Sequence, residues 1–220
     1  MGPGSRPLRA IVTRPREQAG PLADRLTQAG LEVVLCPLIE LEPVGPPEVD
    51  VTGYDWVVVT SPRGARELAE RRAGDLPLVA AIGPGTAAAL REHGIEPALV
   101  PAVSTQEGLV AELPDHPGRV LFTGAEDARP YLSEALRADT LVLYRTRELR
   151  PADPPEGDLV VLASASAARA FAALRLGIPA VSIGPETTRE AEARGIRVVA
   201  EAENHDLEGL VAAVVEAARL

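Results

Sequence analysis

The chain repeats itself. VVVTSPRGARELA at residues 57–69 returns 103 positions later as VVLASASAARAFA at 160–172. AIGPGTAAALREHGI at 81–95 returns 101 positions later as SIGPETTREAEARGI at 182–196, and EGLVAEL at 107–113 returns at the same spacing of 101 as EGLVAAV at 208–214. A weaker pair is IVTRP at 11–15 and LFTGA at 121–125. Each copy is a short β-branched apolar run, a turn of small residues and a helical stretch. A repeat this long is domain-sized, so the sequence must fold into two similar units.

The pattern inside each copy sets the fold class. Apolar runs at 10–13, 33–36, 56–60, 78–82, 98–100, 119–123, 140–144, 159–163, 180–183 and 197–200 read as strands. Stretches at 16–29, 63–73, 85–93, 129–137, 166–175 and 187–194 have helical spacing, and Gly30, Gly94 and Gly195 stand where a left-handed helix C-cap is expected. Strict strand–helix alternation calls for parallel sheets covered on both faces. Ten strands crowd a single open sheet, so the expectation is two α/β domains, each a five-stranded parallel sheet flanked by helices. Two Pro-rich segments, 37–50 and 145–158, read as linkers where the chain crosses between domains. One domain is then 1–37 plus 151–220, and the other 38–150.

Composition excludes several chemistries. The 220-residue chain has no lysine; all 22 basic residues are arginine. Schiff-base catalysis, lysine-bound pyridoxal phosphate and the P-loop lysine are ruled out. Cys36 is the only cysteine and the histidines are His93, His116 and His205, so no metal site and no intrachain disulfide are expected. A net charge of −10 argues against nucleic acid and anionic membranes as partners. Aromatics at 3% are too few for a base-stacking platform. No apolar run reaches about 18 residues, and MGPGSRP lacks an apolar core, so neither a spanning helix nor a signal peptide is expected, and a cytoplasmic location follows.

Ligands of parallel α/β sheets bind beyond the carboxyl ends of the strands. Here those turns carry Thr13-Arg14, Ser164 and Gly184 to Thr187 in one unit, and Thr60-Ser61, Gly83 to Thr86 and Thr123-Gly124 in the other. Each opens a helix, whose free N–H groups and dipole suit carboxylates or phosphates; each Ser or Thr also serves as an ordinary N-cap. The motif IGPxT at 82–86 and 183–187 is compatible with a tight turn ahead of a helix, and it is not a dinucleotide fingerprint. Tyr144 ends a strand just before the second crossing, next to the expected cleft, as a neutral phenol able to give a proton. Arg14 is a cleft anion contact or a surface charge. Arg63, Arg129 and Arg145 read as solvated, as does the run RELAERR at 66–72.

IVTRP, VVVTSPRGA, AIGPGTAAAL, STQEGL, LVLYRT and SIGPETTREAEARGI, in this order over about residues 8–218, resemble the uroporphyrinogen-III synthase family. The resemblance implies two α/β domains joined by a two-stranded connector. It implies a cofactor-free lyase that dehydrates and cyclises hydroxymethylbilane, a linear tetrapyrrole with eight carboxylates, with inversion of ring D. It also implies Tyr144 as the proton donor and Arg14, Ser61, Thr86, Ser164 and Thr187 as substrate contacts; the strand-end turns add Gly83, Thr123, Gly124 and Gly184, and a monomer is expected. The competing reading is a two-domain protein that binds a small anion without catalysis.

Overall fold

The computed structural model describes residues 6–218. In chain order the elements are β1 (Arg9–Val12), α1 (Arg16–Gln28), β2 (Glu32–Leu35), β3 (Ile39–Pro43), β4 (Val49–Asp50), β5 (Trp56–Val59), α2 (Pro62–Arg71), β6 (Arg72–Ala73), β7 (Leu78–Ala81), α3 (Pro84–Glu92), α4 (Gln106–Glu112), β8 (Val120–Ala125), α5 (Tyr131–Leu136), β9 (Asp139–Glu148), β10 (Leu159–Leu162), α6 (Ala165–Ala172), β11 (Ala180–Ser182), α7 (Pro185–Ala193), β12 (Val198–Glu201) and α8 (Leu207–Ala217). The described residues group into two compact units, 6–40 with 147–218, and 41–146.

The first unit holds a five-stranded sheet, ordered β12-β11-β10-β1-β2, with every pair parallel. Its inner strands β1, β10 and β11 are buried on both faces, as βα alternation requires, while the edge strands β2 and β12 are partly exposed. Ala10 and Val12 pack with Leu22, Leu26, Leu210 and Val214 of α1 and α8. Ile11, between them, points the other way and packs with Phe171 and Ala191 of α6 and α7. Each such fully buried aliphatic side chain contributes roughly 1.5–3 kcal/mol.

The second unit follows the same plan around the order β3-β9-β8-β5-β7. Val57, Val59 and Leu121 face Leu68 and Leu90 of α2 and α3, while Val58 and Phe122 face Leu109 and Leu132 of α4 and α5. Only four of these strands are mutually parallel. The expected strand at 98–100 is reduced to one bridge, Leu99 to Ala80. Pro97 and Pro101 flank it, and a proline has no N–H to give a ladder. The matching positions in the first unit are Val198 and Ala202, and there β12 forms.

The fifth strand of this sheet is β3, inside a segment expected to be a linker. It runs antiparallel to β9: Val44 N–H donates to the Leu143 carbonyl at 2.9 Å, Leu149 N–H to the Leu38 carbonyl at 2.8 Å. Arg145 pairs with Glu42 at 3.0 Å and Arg147 with Glu40 at 2.6 Å along the same ribbon. β9 therefore continues to Glu148, well past Tyr144. Pro43 is tolerated because it is the last residue of an edge strand.

Candidate functional site

The strand-end turns repeat in detail between the two units. In the first, the Thr13 hydroxyl donates to the Val161 carbonyl at 3.0 Å; in the second, Thr123 donates to the Val58 carbonyl at 3.3 Å. Both threonines are fully buried, and both hydroxyls tie neighbouring strand ends together rather than facing a ligand. Ser164 caps α6, accepting from Ala167 N–H at 3.2 Å, and Ser61 caps α2, accepting from Gly64 N–H at 2.9 Å. Thr187 and Thr86 lie buried in the first turns of α7 and α3. Gly124 sits in β8 where an added Cβ would lie 3.3 Å from the Thr60 hydroxyl.

Gly83 and Gly184 are extended, with φ of −175° and 168°, so neither forms a left-handed turn. Glycine is needed there for close approach. A Cβ on Gly83 would fall 2.6 Å from the Ser104 hydroxyl oxygen, and one on Gly184 3.0 Å from the His205 ring. Ser104 and His205 are themselves 101 positions apart, each just before the N-cap of the next helix, Thr105 or Asp206. The repeat spacing was the signal for this pair. Pro84 and Pro185 then start helices whose first N–H groups have no acceptor within the helix.

Tyr144 is buried, at 8% exposure, and its hydroxyl donates to Ser61 Oγ at 2.9 Å. The sequence puts this phenol next to the expected cleft; the structure seats its hydroxyl on the serine. A β-bulge is the reason. β8 and β9 run in register up to Gly124 and Val142, then Ala125 faces Tyr144, so Leu143 is an extra residue. Consecutive Leu143 and Tyr144 consequently enter the same apolar cluster. Burial pushes the phenol's pKa up, the nearby Asp127 charge adds to this, and Ser61 and Arg63 oppose it. The phenol is neutral at pH 7. Ser61 Oγ accepts from both Gly64 N–H and Tyr144, which leaves its own proton to donate outward.

The charged residues divide differently from the expectation. Arg14 is half-buried, its pKa is lowered by desolvation, and its Nη2 donates to Gln18 at 3.2 Å. Among the described residues no carboxylate pairs with it. Arg63, and Glu67 and Arg71 of the run 66–72, are not on a solvated face, while Glu70 and Arg72 of that run are exposed. Arg63, Glu67 and Arg71 lie at spacing four on α2, with side chains 19%, 8% and 15% exposed. Glu67 Oε1 is 2.6 Å from Arg63 Nη2, and Oε2 is 3.0 Å from Arg71 Nη2. Arg129 and Arg145 are exposed and paired with Glu107 and Glu42. Among the described residues no group of three or more His, Cys, Asp or Glu could hold a metal ion, and no helix is long and apolar enough to cross a membrane.

The sequence model of the family described as uroporphyrinogen-III synthase HemD matches residues 20–212. The chain belongs to the uroporphyrinogen-III synthase family. Among the family's curated proteins, uroporphyrinogen-III synthase of Synechococcus elongatus is 25% identical, over 95% of this chain and 95% of its own length. Porphyrin biosynthesis protein HemD of Ruminiclostridium josui is 27% identical over 94% of this chain, and the chain spans 48% of its length. The chain spans 63% of a further relative from Methanocaldococcus jannaschii. The fold is shared with uroporphyrinogen-III synthetase from Helicobacter pylori, with a TM-score of 0.71, 18% identity, and coverage of 96% of this chain and 99% of that one. It is shared also with a mutant uroporphyrinogen III synthase from the extremely thermophilic bacterium Thermus thermophilus, with a TM-score of 0.59, 20% identity, and coverage of 96% and 98%.

Proposed function

We propose that this chain is a uroporphyrinogen-III synthase: it closes hydroxymethylbilane to uroporphyrinogen III with loss of one water and inversion of ring D, without a cofactor. The two compact units serve as its two domains and β3 with β9 as their connector. The strand-end turns of each unit meet substrate carboxylates, through the first-turn N–H groups after Ser61, Gly83, Ser164 and Gly184 and through the Arg14 guanidinium. Arg14 supports this role because a half-buried cation without a carboxylate partner is costly to maintain. Local N–H groups also reconcile an anionic substrate with a chain of net charge −10. The same charge opposes association of like copies, and we read the enzyme as a cytoplasmic monomer.

The observation that carries the reading is the Tyr144–Ser61 hydroxyl pair at the carboxyl end of the second sheet. The substrate's hydroxymethyl group leaves as the pyrrole nitrogen pushes electrons toward it. A proton passing from Tyr144, directly or through Ser61, turns the departing hydroxide into water. The proton lost when the macrocycle rearomatises restores the phenol. Such acid assistance is worth about 10²–10⁴-fold, and holding one folded conformer of the chain contributes on the order of 7–11 kcal/mol.

The test is incubation with enzymatically generated hydroxymethylbilane, oxidation of the product and isomer analysis. The expected product is the inverted isomer III. Isomer I alone, the product of uncatalysed closure, would overturn the proposal.

A further inference from the structure

The buried charges on α2 have no stability rationale of their own. Removing charged groups from water costs several kcal/mol per ion, and apolar replacements of a buried ion triad are often neutral or stabilising. The second copy of the repeat shows that this fold does without them: Ser166, Ala170 and Leu174 occupy the positions of Arg63, Glu67 and Arg71. The triad occurs only in the copy that also carries Tyr144.

Its contacts converge on that residue. Arg71 Nη2 donates to the Leu143 carbonyl at 2.7 Å, the carbonyl of the bulge residue that precedes Tyr144. Arg71 Nη1 donates to the Val44 carbonyl at 2.7 Å, beyond the end of β3. At the other end of the same helix, the N-cap Ser61 receives the Tyr144 hydroxyl. From Ser61 to Arg71 the helix spans about 15 Å. It thus grips Tyr144 by its phenol at one end and by the adjoining main chain at the other. Glu67 stands between, holding both arginines, and Arg63 lies close enough to act on the phenol's charge.

We infer that Glu67 and Arg71 are positioning residues for Tyr144: the carboxylate orients both guanidinium groups, and Arg71 locks the bulge that aims the phenol at Ser61. This rests on the reading of Tyr144 as the proton donor. It assigns the triad to the geometry of the site, not to the stability of the domain.

The experiment compares Glu67→Gln, the double variant Glu67→Met/Arg71→Met and Tyr144→Phe in the full chain, below their unfolding temperatures. The double variant removes both members of the Glu67–Arg71 pair and leaves only Arg63, 19% exposed, without that carboxylate, so it is expected to fold better than Glu67→Gln, which leaves two arginines without it. Readouts are kcat, KM and the NMR resonance of the 13C-labelled Tyr144 ring, assigned by its absence in Tyr144→Phe. Expected for the charge variants are a kcat lowered about tenfold or more, KM within about twofold, and a displaced Tyr144 resonance. A folded double variant with the Tyr144 resonance unmoved would overturn the inference, whatever its activity. Full activity in Tyr144→Phe would instead remove the proton-donor reading, and the resonance would still decide whether the triad sets the ring.

Discussion

The Tyr144 hydroxyl sits 2.9 Å from Ser61 Oγ, across the space between the bulge in the middle of β9 and the N-cap of α2. The serine is thus an N-cap and the acceptor of a buried phenol at once. Ser164, its counterpart in the repeat, caps α6 and meets the Ser166 hydroxyl, at 3.1 Å, where Ser61 meets a phenol.

This asymmetry separates the two serines energetically. Losing an N-cap costs about 1 kcal/mol, and leaving a buried donor unsatisfied costs about 1–3 kcal/mol more. Ser61→Ala is therefore expected to destabilise more than Ser164→Ala, by about 1–3 kcal/mol. Urea unfolding of both variants, followed by circular dichroism, checks the order. Equal losses would show that the phenol gains nothing from Ser61.

Tyr144→Phe keeps the ring in its apolar cluster and removes the donor. The expected outcome is a kcat lowered about 10²–10⁴-fold with isomer III still the product. A loss below about tenfold would make Tyr144 a residue that orients rather than protonates. The raised pKa also has a sign that can be checked. The folded state favours the protonated phenol, so this contribution to stability is complete below about pH 10 and is lost as pH rises through the folded value. Difference ultraviolet titration of the wild type against Tyr144→Phe should show one tyrosine titrating above about 10.

Arg14→Gln removes a half-buried cation that no carboxylate among the described residues compensates. Stability should stay the same or rise slightly. Substrate affinity should fall by roughly 10–100-fold, the worth of a charge-assisted hydrogen bond of about 1.5–3 kcal/mol. Steady-state kinetics reads this as a raised KM with kcat largely retained. An unchanged KM would place the substrate's carboxylates elsewhere.

Gly83→Ala tests close approach without backbone strain, because the residue is already extended. The new Cβ would stand 2.6 Å from the Ser104 hydroxyl oxygen, a clash expected to cost about 1–3 kcal/mol. Adding Ser104→Gly should recover most of it. Failure of the second change to rescue the first, by thermal unfolding, would show that the turn itself and not the neighbour demands glycine.

Much of the architecture follows from local pattern. Runs such as Val57–Val59 and Val160–Leu162 are too short and too apolar for anything but strands buried on both faces, and the spacing of Leu22 and Leu26 puts one face of α1 on the sheet. The repeat spacing brought Ser61 and Ser164, Gly83 and Gly184, and Thr86 and Thr187 to matching turns. Proline marked Ile39–Pro43 as a crossing, which the resemblance makes one strand of a connector, and it is β3, antiparallel to β9. The strand expected at 98–100 failed for the same residue type: the prolines on either side left only a bridge.

The order of strands, turns and helices, and the duplication of a whole α/β unit, were determined by the sequence, because burial periodicity and capping act over a few residues at a time. Which way Tyr144 points was decided only in three dimensions. It depends on one extra residue, Leu143, between β8 and β9, and a strand's own sequence does not reveal the register of its neighbour. The fate of Arg63, Glu67 and Arg71 was decided there too. Spacing four says that the three charges can pair, but only the packing of α2 against the sheet says that they are withdrawn from water when they do.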